Sequence, residues 1–248
     1  MTVSIIVPVL NEATTVREFL EHLRVAAPNA EIIVVDGGSK DGTIDLCRGL
    51  ADEVIEHSPG RARQMNVGAR RARGEILWFL HADSRIAANA VAAIEATLRD
   101  PQIAGGCFRL QLVPSRWIYR LRDAIANRCV NIFRMALGDR GLFSRRETFF
   151  ALGGYPDQPL LEDGDFYRKL RGAGRVGQLP IRIQSSARRY EALGPIRTSL
   201  FYLLIMTLYG GRIPMPILRK MVHRFFSDKP REEEVVALPE LSCRPDQI

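Results

Sequence analysis

Short unbroken apolar runs alternate along this chain with longer stretches whose apolar residues recur at helical spacing. Val3 to Val9, Glu31 to Val35, Val54-Ile55 and Ile76 to Leu80 predict strands. A continuous apolar run of that length suits a strand covered on both faces of a parallel sheet. Between them, Val16, Phe19, Leu20 and Leu23 share one face of a helix that Asn11 can cap and Pro28-Asn29 ends. Asp41 can cap a helix to about Leu50, and Arg61 to Gly68 opens a basic helix ending near Arg73-Gly74. Pro8 suits the end of the first strand. This alternation predicts βαβ units with right-handed crossovers, hence an α/β fold with a mostly parallel sheet.

Past Ser84 the pattern predicts a helix over Ala87 to Leu98 and a strand over Ile103 to Leu112. A helix from Arg116 to Leu137 follows, with Trp117, Leu121, Ile125, Cys129, Ile132 and Phe133 at helical spacing among arginines. Gly141 to Ser144 reads as a short strand, Arg146 to Leu152 and Leu160 to about Arg171 as helices, and Val176 to Ser186 as a final strand region. Pro195 to Gly210 and Pro216 to Phe226 are helical, while residues 227–248 read as a mobile tail. No repeat or linker divides residues 1–226, which predicts one domain.

The chemistry gathers where strands end. Ile76 to Leu80 runs into His81-Ala82-Asp83-Ser84, and ligands of open α/β sheets bind at the carboxyl ends of strands. Asp83 there can hold a divalent cation or cap the next helix, and the pattern leaves both open. Acidic residues stand in comparable places at Glu12, Asp36 and the Glu162-Asp163 pair. If the first, second and fourth strands are neighbours, Glu12, Asp36 and Asp83 share one edge. The loop Gly37 to Gly42 lacks the spacing of a phosphate-binding P-loop, and no GxGxxG follows a strand. Arg61 and Arg63, in a cluster with Arg70, Arg71 and Arg73, either face a diphosphate or form a solvated helix face. Gly105, Gly106, Asp139, Arg140, Arg188 and Arg189 are candidates for the acceptor or diphosphate side.

Composition narrows this only a little. Of 248 residues, 46% are hydrophobic and 25% charged, ordinary for a globular chain, but the net charge is +7. A basic surplus suits an anionic ligand or an acidic membrane surface. Nucleic acid is disfavoured, because no aromatic residues interleave with the arginines to stack bases. Four scattered cysteines without a CxxC pair suit a cytoplasmic protein. No signal peptide precedes the first strand. Leu200 to Tyr209, the longest apolar stretch, falls short of the roughly 20 residues that span a bilayer. Peripheral contact at the inner membrane face stays open through that helix and the arginine-rich one.

Four motifs together resemble the family 2 glycosyltransferases: Ser4-Ile-Ile-Val-Pro-Val-Leu-Asn-Glu12, Ile33-Val-Val-Asp-Gly-Gly-Ser-Lys-Asp-Gly-Thr43, Gly74-Glu-Ile-Leu-Trp-Phe-Leu-His-Ala-Asp83 and Leu161-Glu-Asp163. More narrowly, Gly60-Arg-Ala-Arg-Gln-Met-Asn66, Gly138-Asp-Arg-Gly-Leu-Phe143 and Ser186-Ala-Arg-Arg-Tyr-Glu191 resemble a bacterial subfamily associated with radical-SAM and selenium-domain proteins and with arsenosugar biosynthesis. The resemblance implies a GT-A (Rossmann-like) fold, with a nucleotide-binding half over about 1–100, an acceptor half over about 101–195 and C-terminal helices over 195–226. It implies an inverting transfer of one sugar from a nucleotide-sugar donor to a small-molecule or lipid hydroxyl, with Mn²⁺ or Mg²⁺. Pro8, Asn11, Glu12, Asp36, Gly38, Arg61, Arg63 and Asp83 would then line the donor. Asp83 would hold the metal, and Asp163, or in second place Glu162, would be the base. Two positions depart from the family pattern. Gly37 stands where many members have Asp, and His81 stands where the first Asp of DxD falls, so His81 is either a metal ligand or a residue pointing into the fold. A nucleotidyltransferase and a degenerate nucleotide-sugar-binding protein are the alternatives.

Overall fold

The computed structural model describes residues 1–133, 135–136, 138–211 and 213–227. They fall into two compact units, Met1–Arg189 and the part from Tyr190 onward. The expected tail at 227–248 lies, from residue 228, outside the described residues.

In the first unit an eight-stranded sheet runs in the order β3-β2-β1-β4-β7-β6-β8-β5. Its parallel half contains β1 (Val3–Val9), β2 (Glu31–Asp36), β3 (Glu53–Glu56) and β4 (Ile76–Phe79). β1 lies between β2 and β4, with Val9 opposite Asp36 and Ile6 opposite Phe79. The loops carrying Glu12, Asp36 and Asp83 therefore leave one edge, as the sequence led us to expect. Pro8 lies inside β1 opposite Val35. It is tolerated because the β4 pairing has ended at Ile6, so no partner on that side needs the missing N–H.

The other half is mixed. β7 (Phe143–Arg145) runs antiparallel to both β4 and β6 (Ile103–Val113). β8 (Arg175–Ser186) runs parallel to β6, and β5 (Ser84–Arg85) antiparallel to β8. The close approach expected at Gly105-Gly106 is internal to this sheet. A Cβ on Gly106 would come within 2.6 Å of the Gly177 carbonyl, and one on Gly105 would crowd the Phe143 carbonyl and Leu170.

Strand alternation explains why these runs are apolar throughout. Ile5, Val7, Ile32, Val34 and Trp78 face a core shared with α1 (Val16–Ala26) and α4 (Ala90–Leu98). Ile6, Ile33, Val35, Leu77 and Phe79 face another, shared with α3 (Arg61–Arg71) and α7 (Glu162–Ala173). Each large side chain so buried contributes roughly 1.5–3 kcal/mol relative to exposure. Gly68 lets α3 lie close on β1, since a Cβ there would sit 2.5 Å from Ile6.

Several local expectations change. Asn11 does not cap α1, which begins after Thr15. Asn11 takes a left-handed φ of 53° and its side-chain oxygen accepts the Lys40 N–H at 3.0 Å. Helix α2 (Thr43–Cys47) stops short of Leu50. Asp83 caps no helix, because α4 starts only at Ala90, after Asn89, and Ser84-Arg85 form β5 instead. The cap reading of Asp83 is thereby corrected.

The remaining helices of this unit are α5 (Trp117–Phe133), α6 (Arg146–Ala151) and the start of α8 (Arg188–Leu193). In the second unit, α9 (Pro195–Gly210) and α10 (Met215–Ser227) are joined by Phe201 stacked on Phe225 at 3.7 Å, with the Arg197 guanidinium 5.0 Å from the Phe225 ring. None of the described helices is long and apolar enough to cross a membrane.

Candidate active site

The acid pair opens α7. Leu161 precedes it with a left-handed φ of 60°, a strained value for a branched residue. This turn sets Glu162 and Asp163 in the first helical turn, where the helix dipole favours negative charge. Both are buried, at 1% and 2% exposure. Arg61, from the start of α3, donates through Nε to Glu162 Oε1 at 2.5 Å and stands 3.8 Å from Asp163 Oδ2. Arg61 keeps 42% of its side chain exposed, so it forms the solvent side of the pair.

A 3₁₀ turn at Gly138–Arg140 closes the other side. Gly138 lies against the Asp163 carboxyl, where any Cβ would collide with it. Asp139 adds a third acidic group. The Asp163 carboxyl is pushed up to about 7, chiefly by burial, with Arg61 opposing, Glu162 and Asp139 adding to the rise, and the Gly138 N–H opposing. Burial disfavours the Arg61 charge, but Asp163 and Glu162 outweigh that and leave its affinity for the proton raised. Among the described residues, Asp163 Oδ1, Glu162 Oε2, Asp139 Oδ1 and the Tyr155 hydroxyl are buried without a hydrogen-bond partner. Buried polar groups are ordinarily paired. Four such groups in one place mark a site built to meet something else.

Tyr155 gave no signal in the sequence. Its ring packs edge-on to Phe79 at 4.9 Å and 4.7 Å from Phe166, an aromatic floor drawn from β4 and α7. Burial, then Asp163 and Glu162, holds its phenol well above the usual range.

The strand edge is arranged differently. Asp36 is fully buried and its carboxylate is consumed by its own loop. Oδ2 accepts the Gly38 and Ser39 N–H groups at 2.7 and 2.8 Å, and Oδ1 accepts the Ser39 hydroxyl. The Glu12 N–H donates to Thr43 Oγ1 at 2.9 Å, and Glu12 Oε2 accepts from Thr15 Oγ1 at 2.8 Å with Arg188 at 3.4 Å. Half-buried Asp83 shares a cavity of about 190 Å³ with Thr15, His22, Arg85 and Arg188. His22 accepts the Ile86 N–H at 3.0 Å, and burial lowers its affinity for a proton.

The remaining candidates divide. Arg63 is exposed and pairs with Asp157 at 2.8 Å. Arg140 is buried and donates to Asn127 Oδ1 at 2.5 Å and the Ala126 carbonyl at 3.0 Å, which fastens the 3₁₀ turn to α5. The Arg189 side chain lies outside the described residues. Gln64 is a further residue the sequence reading passed over. Its buried amide donates to the Val9 and Val35 carbonyls at 2.9 and 2.7 Å, tying the ends of β1 and β2. A polar residue on the buried face of α3 was the available signal.

Comparison with known proteins fits this geometry. A mannosyltransferase from Pyrobaculum calidifontis, solved in complex with GDP-Man and Mn²⁺, superposes with a TM-score of 0.65 at 22% identity, over 89% of this chain and 69% of that one. The fold is therefore that of the GT-A glycosyltransferases. The model of glycosyl transferase family 2 matches residues 4–152, and the chain belongs to that family. An uncharacterized glycosyltransferase of Rickettsia typhi is 36% identical over 86 residues, which is 33% of this chain and 27% of that protein. A PGL/p-HBAD biosynthesis glycosyltransferase of Mycobacterium bovis is 28% identical over 181 residues, 66% of this chain and 67% of that one. The match to the Rickettsia protein thus spans only about a quarter of its length.

Proposed function

We propose that this chain is a metal-dependent, inverting glycosyltransferase that moves one sugar from a nucleotide-sugar donor to a hydroxyl acceptor, with Asp163 as general base. The observation that carries this is the buried Asp163 carboxyl with an unpartnered Oδ1, next to a guanidinium whose closest bond goes to Glu162. A hydroxyl becomes a competent nucleophile only as a base takes its proton, and a base with a pKa near the working pH does this best. At about 7, Asp163 meets that condition. Glu162 is occupied by Arg61 and serves as the group that positions it. Since Asp163 is 2% exposed, the acceptor reaches it along the side that Arg61 covers. One in-line attack by the hydroxyl oxygen that this base deprotonates, with the bond from the anomeric carbon to the diphosphate breaking, inverts the anomeric centre.

Membership of family 2 and the GDP-Man and Mn²⁺ complex of the archaeal neighbour support a nucleotide-sugar donor and a divalent metal. Among the described residues no group of three or more His, Cys, Asp or Glu side chains assembles a complete metal cage. That suits a cation held jointly with a substrate, because a metal at a diphosphate takes one or two protein ligands and fills its shell with phosphate oxygens and water. Asp83 at the end of β4 fits as the carboxylate ligand, with His81 beside it, a pair that suits Mn²⁺. The bound metal would supply positive charge to the departing diphosphate. Arg188, held near Glu12, can add to that charge. The narrower likeness to the arsenosugar-associated subfamily makes a small-molecule acceptor the first to screen, before a lipid hydroxyl.

The test is a panel of radiolabelled nucleotide sugars with Mn²⁺, following nucleoside diphosphate release and the product's anomeric configuration by NMR. Inverted product, lost in Asp163→Asn with donor binding intact by calorimetry, supports the reading. Pyrophosphate release would instead identify a nucleotidyltransferase, and full turnover in Asp163→Asn would remove the assignment of the base.

A further inference from the structure

Helix α5 carries a second apolar stripe on its outer side, beyond the face that buries Tyr119 and Val130. On a helix of 3.6 residues per turn, Trp117, Leu121, Ile125 and Ile132 fall within an arc of about 80°. They are 76%, 56%, 56% and 71% exposed. A surface helix ordinarily turns its apolar stripe to the core and its polar face to water. Here the inner face packs Tyr119 and Val130 inward and is further anchored by polar bonds. Asp123 Oδ2 accepts the Leu112 N–H at 2.8 Å, and Asn127 exchanges two hydrogen bonds with Leu110 of β6. Those contacts fix the rotation of the helix, so the apolar stripe cannot roll inward.

Charge selects what meets this stripe. Exposed Arg128 lies within the arc, and exposed Arg120 lies beside it. Asp123, the only acidic residue of α5, is buried on the opposite face. An apolar partner protein would leave these guanidinium groups to be desolvated, whereas a bilayer with acidic headgroups accepts both parts. Aliphatic side chains enter the acyl boundary, a tryptophan settles at the interface, and arginines reach headgroup phosphates. Each basic residue near an anionic surface adds about 1 kcal/mol of attraction. We propose that the outer face of α5 is a docking surface for an anionic phospholipid bilayer. The idea is independent of which sugar or acceptor the enzyme uses.

The test uses the whole chain and vesicles of phosphatidylcholine with and without phosphatidylglycerol. Only two tryptophans are present, and Trp78 is fully buried, so a change in emission reports Trp117. Expected are co-sedimentation with the anionic vesicles and a blue shift in emission, with both weakened by salt. The paired change Trp117→Ser with Ile125→Ser should lower binding at least tenfold, and the reversal Arg120→Glu with Arg128→Glu should do the same while leaving the apolar stripe in place. Unchanged melting of both variants excludes misfolding. No binding to either vesicle, or binding equal in wild type and both variants, overturns the proposal. So does a concentration-dependent dimer abolished by Trp117→Ser with Ile125→Ser in a chain that ignores vesicles, which would make the stripe a self-association face.

Discussion

Asp36 and Asp163 are both buried aspartates beside loops at the functional edge, yet they are provided for in opposite ways. The hydrogen bonds that the Asp36 carboxylate accepts come from its own loop, from Gly38 and Ser39. Asp163 has an oxygen without a partner, two acidic neighbours and one guanidinium in common with Glu162. A carboxylate satisfied by local N–H groups shapes a turn. A carboxylate buried with one oxygen left unbonded is costly to ionise, and that cost gives it chemical use. Position along the chain did not separate the two; the accounting of lone pairs does.

The widest separation between them should appear in turnover. Asp163→Asn preserves shape but removes the base, and loss of a general base typically lowers kcat by about 10²–10⁴-fold. Donor affinity, read by calorimetry, should change little. Asp36→Ala should do the reverse, because it strands the Gly38 and Ser39 N–H groups. Each buried donor left without a partner costs about 1–3 kcal/mol, so Asp36→Ala should lower the melting temperature clearly. If Asp36→Ala kept its stability and lost only turnover, the contrast would collapse and Asp36 would rank as a direct ligand contact.

The pH dependence sharpens the same contrast with a smaller effect. The deprotonated base is the active form, so kcat/KM should climb tenfold per pH unit and level off above about 7. Arg61 lowers the Asp163 pKa, so Arg61→Gln should move that limb upward by roughly 1–3 units. For stability the sign is opposite to that of a salt-bridged carboxylate. Between the unfolded value of about 3.9 and the folded value, the native state keeps a proton that the unfolded chain releases. Stability from this group is thus full below that window and declines as pH rises through it. Asp163→Asn should therefore melt higher than wild type at pH 8, by roughly 1–3 kcal/mol, with the gain gone near pH 4. Melting curves at the two pH values decide it.

Much of this was legible in the residues themselves. The apolar runs of β1, β2 and β4 announced strands covered on both faces, and their polar ends announced the edge. The Glu162-Asp163 pair stood out because two acids open a helix. What stayed hidden depends on distant parts of the chain meeting. Tyr155 reaches the acid pair only because Phe79 and Phe166 hold its ring from two other elements. Arg61 looked like one basic residue among five, and only its packing on Glu162, 101 positions away, singles it out. Asn11 and Asp83 resembled helix caps by type, but the helices after them begin at Val16 and Ala90. Arg63, by sequence either a diphosphate contact or part of a solvated helix face, pairs with exposed Asp157.

The smallest expected effect concerns Gly37, where this chain departs from the family pattern. Its backbone is not in the left-handed region, so conformation alone does not require glycine. A Cβ there would lie 3.2–3.3 Å from the Gln64 amide, tighter than ordinary contact. That amide holds the Val9 and Val35 carbonyls and has little freedom to retreat. Gly37→Ala should therefore lower stability modestly, by about 1 kcal/mol, through crowding of a packed site. Gln64→Ala should cost more, since the Val9 and Val35 carbonyls both lose the bond from its amide, Val9 keeping that from the Gly37 N–H. The informative measurement is the double variant. If Gln64 is what excludes a side chain at Gly37, Gly37→Ala should be nearly free of cost once Gln64 is gone, giving a coupling of at least about 0.5 kcal/mol. Equal costs in both backgrounds would mean that Gln64 does not set the identity of residue 37. The loop after β2 would then owe its glycine to something outside this contact.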